Sequence, residues 1–172
     1  MKRYYFVIMV TSLFIVFFSA CQNKKEQINV VNDSQTKEEK FKSKYINKKI
    51  LSINEILTND IDPIKQKILF LYTGYDCQSC IDKGYEIIKE MEMVGHDVFI
   101  VSSHSNIGFD QERNDYFEYV YADEKELIRK ELKYLITPAI FILDNENSII
   151  DLVFPETNSN SKEMIESLSK SL

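Results

Sequence analysis

The sequence has few of the residues from which metal sites are built. Its 172 residues include three cysteines and two histidines, His96 and His104. A structural zinc site takes four ligands, and the single C-x-x-C of this chain has no second one to complete such a set. Positive charge is also in deficit, because 27 acidic residues stand against 21 basic ones and the formal net charge is −6. An acidic protein repels nucleic acid and anionic lipid, so we expect no nucleic-acid partner. Because the ligand set for zinc is incomplete, we also expect no metal site.

The first twenty residues have the pattern of an export signal. Lys2 and Arg3 precede an apolar run that closes with the small pair Ser19-Ala20, directly before Cys21. A basic start, an apolar stretch and small residues at the cleavage position are typical of a secretory signal. A cysteine at this point resembles the bacterial lipoprotein box, whose cysteine thiol receives diacylglycerol.

That resemblance implies a lipoprotein signal peptide over residues 1–20 and lipidation at Cys21. The remaining chain would then lie in the cell envelope, outside the cytoplasm, anchored by lipid to a bacterial membrane. An uncleaved membrane anchor and ordinary secretion stay open as alternatives. Residues 21–45 are mostly Lys, Glu, Gln, Asn and Ser, and so polar a segment buries too little surface to offset the entropy of ordering. We therefore expect a flexible tether there, with a solvated helix over Thr36–Lys44 as the alternative.

The first half of the following domain, residues 46–172, contains a β-α-β pattern. Ile50–Leu57 fits a strand or a short helix, and Lys67–Tyr72 is a short apolar run typical of a strand buried on both faces. Apolar residues then recur at helical spacing from Ile81 to Val94, before Gly95. Asp97–Ser103 is a second apolar strand, so the unit predicts two parallel strands joined by a helix.

The second half predicts a short strand, a helix, a hairpin and a last helix. Asp123 and Glu126 have the spacing of a capping box at the start of the first of these helices. Asn160 and Glu163 have the same spacing before the second. The expected elements are a strand over Tyr116–Tyr121, a helix over Glu124–Leu135, strands over Ala139–Leu143 and Ile149–Phe154, and a final helix that carries Ile165, Leu168 and Leu172.

The C-x-x-C pair lies where the first buried strand gives way to its helix. Disulfide exchange needs an exposed thiolate that attacks and a second thiol that resolves the mixed disulfide. In Cys77-Gln78-Ser79-Cys80 the first sulfur would face unpaired backbone N–H groups at the helix start, which lower a thiol pKa. Cys80, one turn into the helix, would be more buried and suited to resolving. A structural disulfide and metal binding, as in a copper carrier, are the alternatives.

The order of a buried strand, a C-x-x-C at the start of a helix and Thr137-Pro138 before an apolar strand resembles the thioredoxin superfamily. The leader and the segment Tyr116–Leu143 are similar to one type within it, the TlpA/ResA type of membrane-anchored thiol–disulfide oxidoreductase. The resemblance implies an α/β thioredoxin-like fold, with a central mixed β-sheet flanked by helices. It implies a reductase or isomerase without a cofactor, with Cys77 as nucleophile and Cys80 as resolving thiol. Pro138 should be cis and stand opposite the cysteines, where the backbone of Thr137 would bind substrate. The implied partners are disulfide-containing envelope proteins and a membrane thiol donor that recharges the enzyme.

The sequence departs from the family pattern at three places. Asp76 stands where the family usually has Trp, and we expect its charge to raise the pKa of Cys77. Leu71 stands where many thioredoxins bury an acidic residue, and Gln78-Ser79 does not indicate whether the protein reduces or oxidises. A binding or adaptor lipoprotein that keeps the fold without catalysis is therefore the alternative function.

Overall fold

The computed structural model describes residues 39–57, 65–104, 111–158 and 160–172. The expected signal peptide, the lipidation site Cys21 and most of the expected tether lie outside these residues and stay predictions. Residues 39–42 are helical, and Tyr45 is already buried. The chain divides after Phe41, and the elements below belong to the second unit, Lys42–Leu172. Among the described residues, no helix is both long enough and apolar enough to cross a bilayer.

A five-stranded mixed sheet forms the centre of this unit, in the order β3-β2-β1-β4-β5. Strand β1 pairs in parallel with β2 and antiparallel with β4, while β2 and β3 are parallel and β4 and β5 antiparallel. The central strand, β1, is buried along its whole length, as its unbroken apolar sequence predicts. The strands are β1 Lys67–Thr73, β2 Val98–Ser103, β3 Tyr119–Asp123, β4 Ala139–Leu143 and β5 Ile149–Val153.

Helices connect these strands and cover the sheet. The longest helix joins the parallel strands β1 and β2 and buries Ile81, Ile88 and Met91 against Phe70 and its neighbours. The last helix packs into the same cluster through Leu168, so one face of the sheet carries both. The helices are α1 Ile53–Ile56, α2 Gln78–Met93, α3 Gln111–Asn114, α4 Leu127–Glu131 and α5 Ser161–Ser169.

The predicted strands around the β-α-β unit and the hairpin are confirmed, but two elements of the second half differ. The strand expected over Tyr116–Tyr121 begins only at Tyr119, because Phe117 turns into the core beside Tyr85. The helix expected over Glu124–Leu135 is shorter, Leu127–Glu131. Lys133 and Tyr134 have φ angles of 55° and 56°, which an α-helix cannot contain.

The capping box predicted at Asp123 and Glu126 does not form, although the Asp123 side chain still binds the start of the helix. The buried Asp123 carboxylate accepts hydrogen bonds from the backbone N–H groups of Leu127 and Ile128, at 2.8 and 3.0 Å. Glu126 has a φ of 53°, and its carboxylate lies 3.0 Å from His104 and 2.6 Å from Arg129. The Glu126 carboxylate therefore pairs with these two side chains and does not cap the helix.

The segment predicted as a strand or a short helix is a helix, and the final helix is present. Ile50–Leu57 contains the short helix α1, and Lys49 before it forms an isolated bridge with Ser148. The final helix begins as its spacing predicts. The Asn160 side chain accepts a hydrogen bond from the Lys162 N–H at 3.1 Å and donates one to Glu163 at 2.9 Å.

Candidate active site

Cys77 lies at the N-cap of α2, where the chain leaves the carboxyl end of β1. Its carbonyl accepts the first helical hydrogen bonds, from the N–H groups of Cys80 and Ile81, both at 2.9 Å. The Cys77 side chain is exposed and Cys80 is half-buried, and both thiols are free. This is the arrangement that the C-x-x-C spacing predicts: an accessible first sulfur, and a second one turn into the helix.

Two hydroxyl groups surround the sulfurs. The Ser79 Oγ lies 3.1 Å from the Cys77 Sγ. The Thr157 Oγ1 lies 3.6 Å from both the Cys77 and the Cys80 Sγ, and 2.7 Å from the Ser79 Oγ. Since a thiolate has no proton to donate, a hydroxyl at this distance donates to it and stabilises its charge.

These contacts separate the acidities of the two thiols. The hydrogen bond from the Cys80 side chain, then those from Ser79, Thr157 and the Cys80 backbone N–H, lower the pKa of Cys77 to about 6. Burial raises the pKa of Cys80, and the neighbouring Cys77 raises it further. At neutral pH Cys77 is therefore mainly a thiolate while Cys80 keeps its proton. The Cys77 sulfur can therefore attack a disulfide as a thiolate, whereas the Cys80 sulfur can attack only after it loses its proton.

Asp76 makes two hydrogen bonds that the sequence did not suggest. Its carboxylate accepts a hydrogen bond from the Thr73 N–H at 2.7 Å and another from the Thr137 hydroxyl at 2.8 Å. It closes the turn that leads into Cys77, and the pKa of Cys77 is lowered overall despite its presence. The expectation that Asp76 opposes thiolate formation stays a prediction, and the structure adds a positioning contact to it.

The Thr137–Pro138 segment meets the turn that precedes the cysteines. The peptide bond between these two residues is cis. The hydrogen bond from Thr137 to Asp76 ties the segment to the residue directly before Cys77. Two large apolar side chains near these residues in sequence, Tyr75 and Ile136, are 86% and 62% exposed, so the surface offers apolar contacts on both segments.

Ser79 and Thr157 were missed as site residues by the sequence reasoning. The dipeptide Gln78-Ser79 matches no pattern that indicates reduction or oxidation, and it gives no sign that the Ser79 hydroxyl contacts a sulfur. Thr157 stands 80 residues after Cys77, in the loop between β5 and α5, and no motif marks it. Leu71, at the position where many thioredoxins bury an acidic residue, is fully buried.

Among the residues that the structure describes, no group of three or more His, Cys, Asp and Glu side chains is placed so that it could hold a metal ion. His104 pairs with Glu126 and makes an edge contact with the ring of Tyr75.

Comparison with known proteins gives structural but no sequence matches. No family model and no curated protein matches the chain. A structure from Chlorobium tepidum, assigned as the thiol:disulfide interchange protein DsbE, matches with a TM-score of 0.50 at 12% identity, over 63% of this chain and 81% of that one. A secreted Mycobacterium tuberculosis disulfide oxidoreductase matches at 0.48 and 13%, over 62% and 81%. StoA from Bacillus subtilis matches at 0.45 and 15%, over 61% and 83%.

The sheet order, the position of the cysteines at the start of α2 and the Chlorobium tepidum structure agree on the architecture. The domain has the expected thioredoxin-like fold, an α/β fold in which helices flank a central mixed sheet.

Proposed function

We propose that this chain is an extracytoplasmic thiol–disulfide oxidoreductase that reduces or isomerises disulfides in envelope proteins. The observation that carries the proposal is the exposed Cys77 sulfur at the N-cap of α2, whose pKa is about 6 and whose partner thiol, Cys80, stays protonated. A nucleophile acts as a thiolate, and an exposed thiol with this pKa is mostly ionised at neutral pH. A purely structural cysteine has no need of such a setting.

The reaction proceeds in two exchanges. The Cys77 thiolate attacks one sulfur of a substrate disulfide, a mixed disulfide forms, and the other substrate sulfur leaves as a thiolate. Cys80 then loses its proton and attacks the Cys77 Sγ, which releases the second substrate sulfur. The substrate gains two electrons and two protons, and the protein is left with a Cys77–Cys80 disulfide. A membrane thiol donor reduces this disulfide again. In isomerisation, the freed substrate thiolate instead attacks a second substrate disulfide, and the thiolate released there displaces Cys77 from the mixed disulfide, so that two new substrate disulfides form and Cys77 is regenerated.

Substrate binding is assigned to the segment before β4. The backbone of Thr137 would pair with an extended substrate strand beside Cys77, since the Thr137–Asp76 hydrogen bond holds the two segments together. Exposed Tyr75 and Ile136 would contact apolar side chains of the substrate. The cell-envelope location and the lipid anchor at Cys21 are supported by the leader sequence.

Reduction of insulin by dithiothreitol, with the full chain as catalyst, tests this proposal. We expect the wild-type chain to accelerate precipitation of the insulin B chain, and Cys77→Ser to abolish the acceleration because the attacking sulfur is gone. When insulin is mixed with the reduced protein without dithiothreitol, Cys80→Ser should accumulate mixed disulfides, since the first exchange still occurs and resolution does not. Cys21→Ser is the matched control, because it removes a cysteine outside the proposed redox pair.

A wild-type chain no faster than Cys77→Ser would contradict catalysis and favour the binding or adaptor function. The direction of the reaction follows from the reduction potential of the Cys77–Cys80 pair in a glutathione buffer. A potential near ~−270 mV would indicate a reductant, and one near ~−120 mV an oxidant.

A further inference from the structure

We infer that Thr157 is a catalytic residue of this exchange, whose hydroxyl stabilises negative charge first on Cys77 and then on Cys80. The inference rests on the proposed function and adds a residue from a distant loop to its chemistry. Its basis is a contact that Ser79 does not duplicate. The Thr157 Oγ1 lies 3.6 Å from each of the two sulfurs, whereas the Ser79 hydroxyl is hydrogen bonded to the Cys77 sulfur.

The loop that carries Thr157 is held at both ends. It follows β5 in the sheet, and Pro155 within it is buried. At its other end Ser161, the first residue of α5, accepts a hydrogen bond at 2.7 Å from Lys83 on α2, the helix of the cysteines. The backbone of Thr157 also hydrogen bonds to the Cys80 sulfur. Thr157 is therefore placed over the C-x-x-C by contacts other than its own hydroxyl.

A single hydroxyl can serve both steps because the charge moves between them. In the reduced protein the charge is on Cys77, and the hydroxyls of Ser79 and Thr157 both lie within reach of it. Once Cys77 is bonded to substrate it is neutral, and the thiolate needed for resolution must form at Cys80. The one hydrogen of the Thr157 hydroxyl can then turn to the Cys80 sulfur, since rotation about the C–O bond redirects it.

Cys80 has particular need of such a donor. Burial and the neighbouring Cys77 raise its pKa, whereas the Thr157 side chain and backbone lower it. The Cys80 proton passes to solvent and the departing substrate thiolate takes one up, so the step balances without another reagent.

The test uses Thr157→Val, which keeps the shape of the side chain and removes its hydroxyl. All variants are made in the full chain carrying Cys21→Ser, so that two thiols react. Dithiobis-nitrobenzoic acid reads the two steps separately. Attack by Cys77 releases one thionitrobenzoate in a phase that depends on reagent concentration, and resolution by Cys80 releases a second in a phase that does not. Alkylation of Cys77 by iodoacetamide across pH gives the midpoint of its ionisation.

We expect Thr157→Val to raise the alkylation midpoint and to slow the second phase about threefold, because a one-unit rise in the pKa of Cys80 lowers its thiolate fraction about tenfold and raises the nucleophilicity of that thiolate about threefold. Ser79→Ala should raise the midpoint but slow the second phase less than Thr157→Val does, because the Ser79 hydroxyl contacts the Cys77 sulfur and the Thr157 hydroxyl contacts the Cys80 sulfur. Thr157→Ser should restore both values, because it returns the hydroxyl without the methyl group.

A Thr157→Val chain with a wild-type second phase would overturn the inference. A Thr157→Ser chain as slow as Thr157→Val would also overturn it, since the methyl group would then be responsible. These outcomes differ from failure of the proposed function, because the reagent reports on the two thiols without any protein substrate. An inactive wild-type chain in the insulin assay would instead contradict the function itself.

Discussion

Gly84, in α2, is a position where we expect the addition of a single methyl group, by Gly84→Ala, to destabilise the protein. A Cβ at this residue would lie 2.5 Å from the Cε2 of Phe70 and closer still to its Cζ. Carbon atoms in contact stay about 3.5–4.0 Å apart, so the ring would have to retreat by ~1 Å or more. Phe70 is fully buried, and its ring centroid lies 5.4 Å from that of Tyr72 and 5.3 Å from that of Tyr85, which leaves little room for retreat.

The expected effect of Gly84→Ala is the difference between two opposing contributions. Overpacking a filled core costs about 1–3 kcal/mol, and we expect the upper part of that range because the ring is confined. Alanine favours a helix interior over glycine by about 1 kcal/mol. The free energy of unfolding should therefore fall by about 1–2 kcal/mol, measured as a lower urea midpoint with an unchanged slope.

The double variant Gly84→Ala/Phe70→Leu is the control for this reasoning. Phe70→Leu alone removes ring atoms from the core and should be destabilising. In its presence the added methyl group has space, so Gly84→Ala should cost less than it does in the wild-type chain, or should stabilise. A Gly84→Ala chain as stable as wild type, or an equal cost in both backgrounds, would refute the argument.

Two further predictions concern carboxylates that hold the backbone. Asp123→Ala should lower the free energy of unfolding, measured in urea, by about 1–2 kcal/mol, because the buried carboxylate accepts hydrogen bonds from two N–H groups of α4. Asp123→Asn keeps one acceptor oxygen and should recover part of the loss. Equal stability of the wild-type chain and both variants would contradict this role of Asp123. Glu131 accepts hydrogen bonds from Ser52 and from the Leu51 N–H. Burial raises its pKa, but these hydrogen bonds outweigh burial and the net pKa is lowered. The stability that Glu131→Gln removes should therefore be present at neutral pH, shrink below about pH 4 and vanish once the pH falls through the lowered pKa. Urea unfolding at pH 7 and at pH 3 measures this, and a difference that does not change with pH would contradict it.

The local elements of this fold were predictable because neighbouring residues determine them. The apolar run of β1, the helical spacing from Ile81 to Val94 and the cap at Asn160 each act over a few positions. The C-x-x-C spacing likewise places Cys77 outside the helix and Cys80 inside it, whatever surrounds them. The candidate redox pair could therefore be identified from the sequence, and so could the greater exposure of Cys77 relative to Cys80.

Predictions that depended on distant contacts were incomplete or wrong. The hydrogen bond between Asp76 and Thr137, 61 residues away, is a contact that no local pattern indicates. The pattern of Glu124–Leu135 fits a longer helix than the structure contains, because Lys133 and Tyr134 take left-handed angles that bring Leu135 into the core.

The sequence by itself determined which two cysteines form the candidate pair, which strands are buried and where α2 begins, because these depend on residue type and short spacing. The tertiary structure decided which groups surround the sulfurs. It brings Thr157 from a loop 80 residues away to within 3.6 Å of Cys77, and it leaves no space beside Gly84. Such contacts exist only after the chain has closed its long loops and packed its sheet, so no local pattern records them.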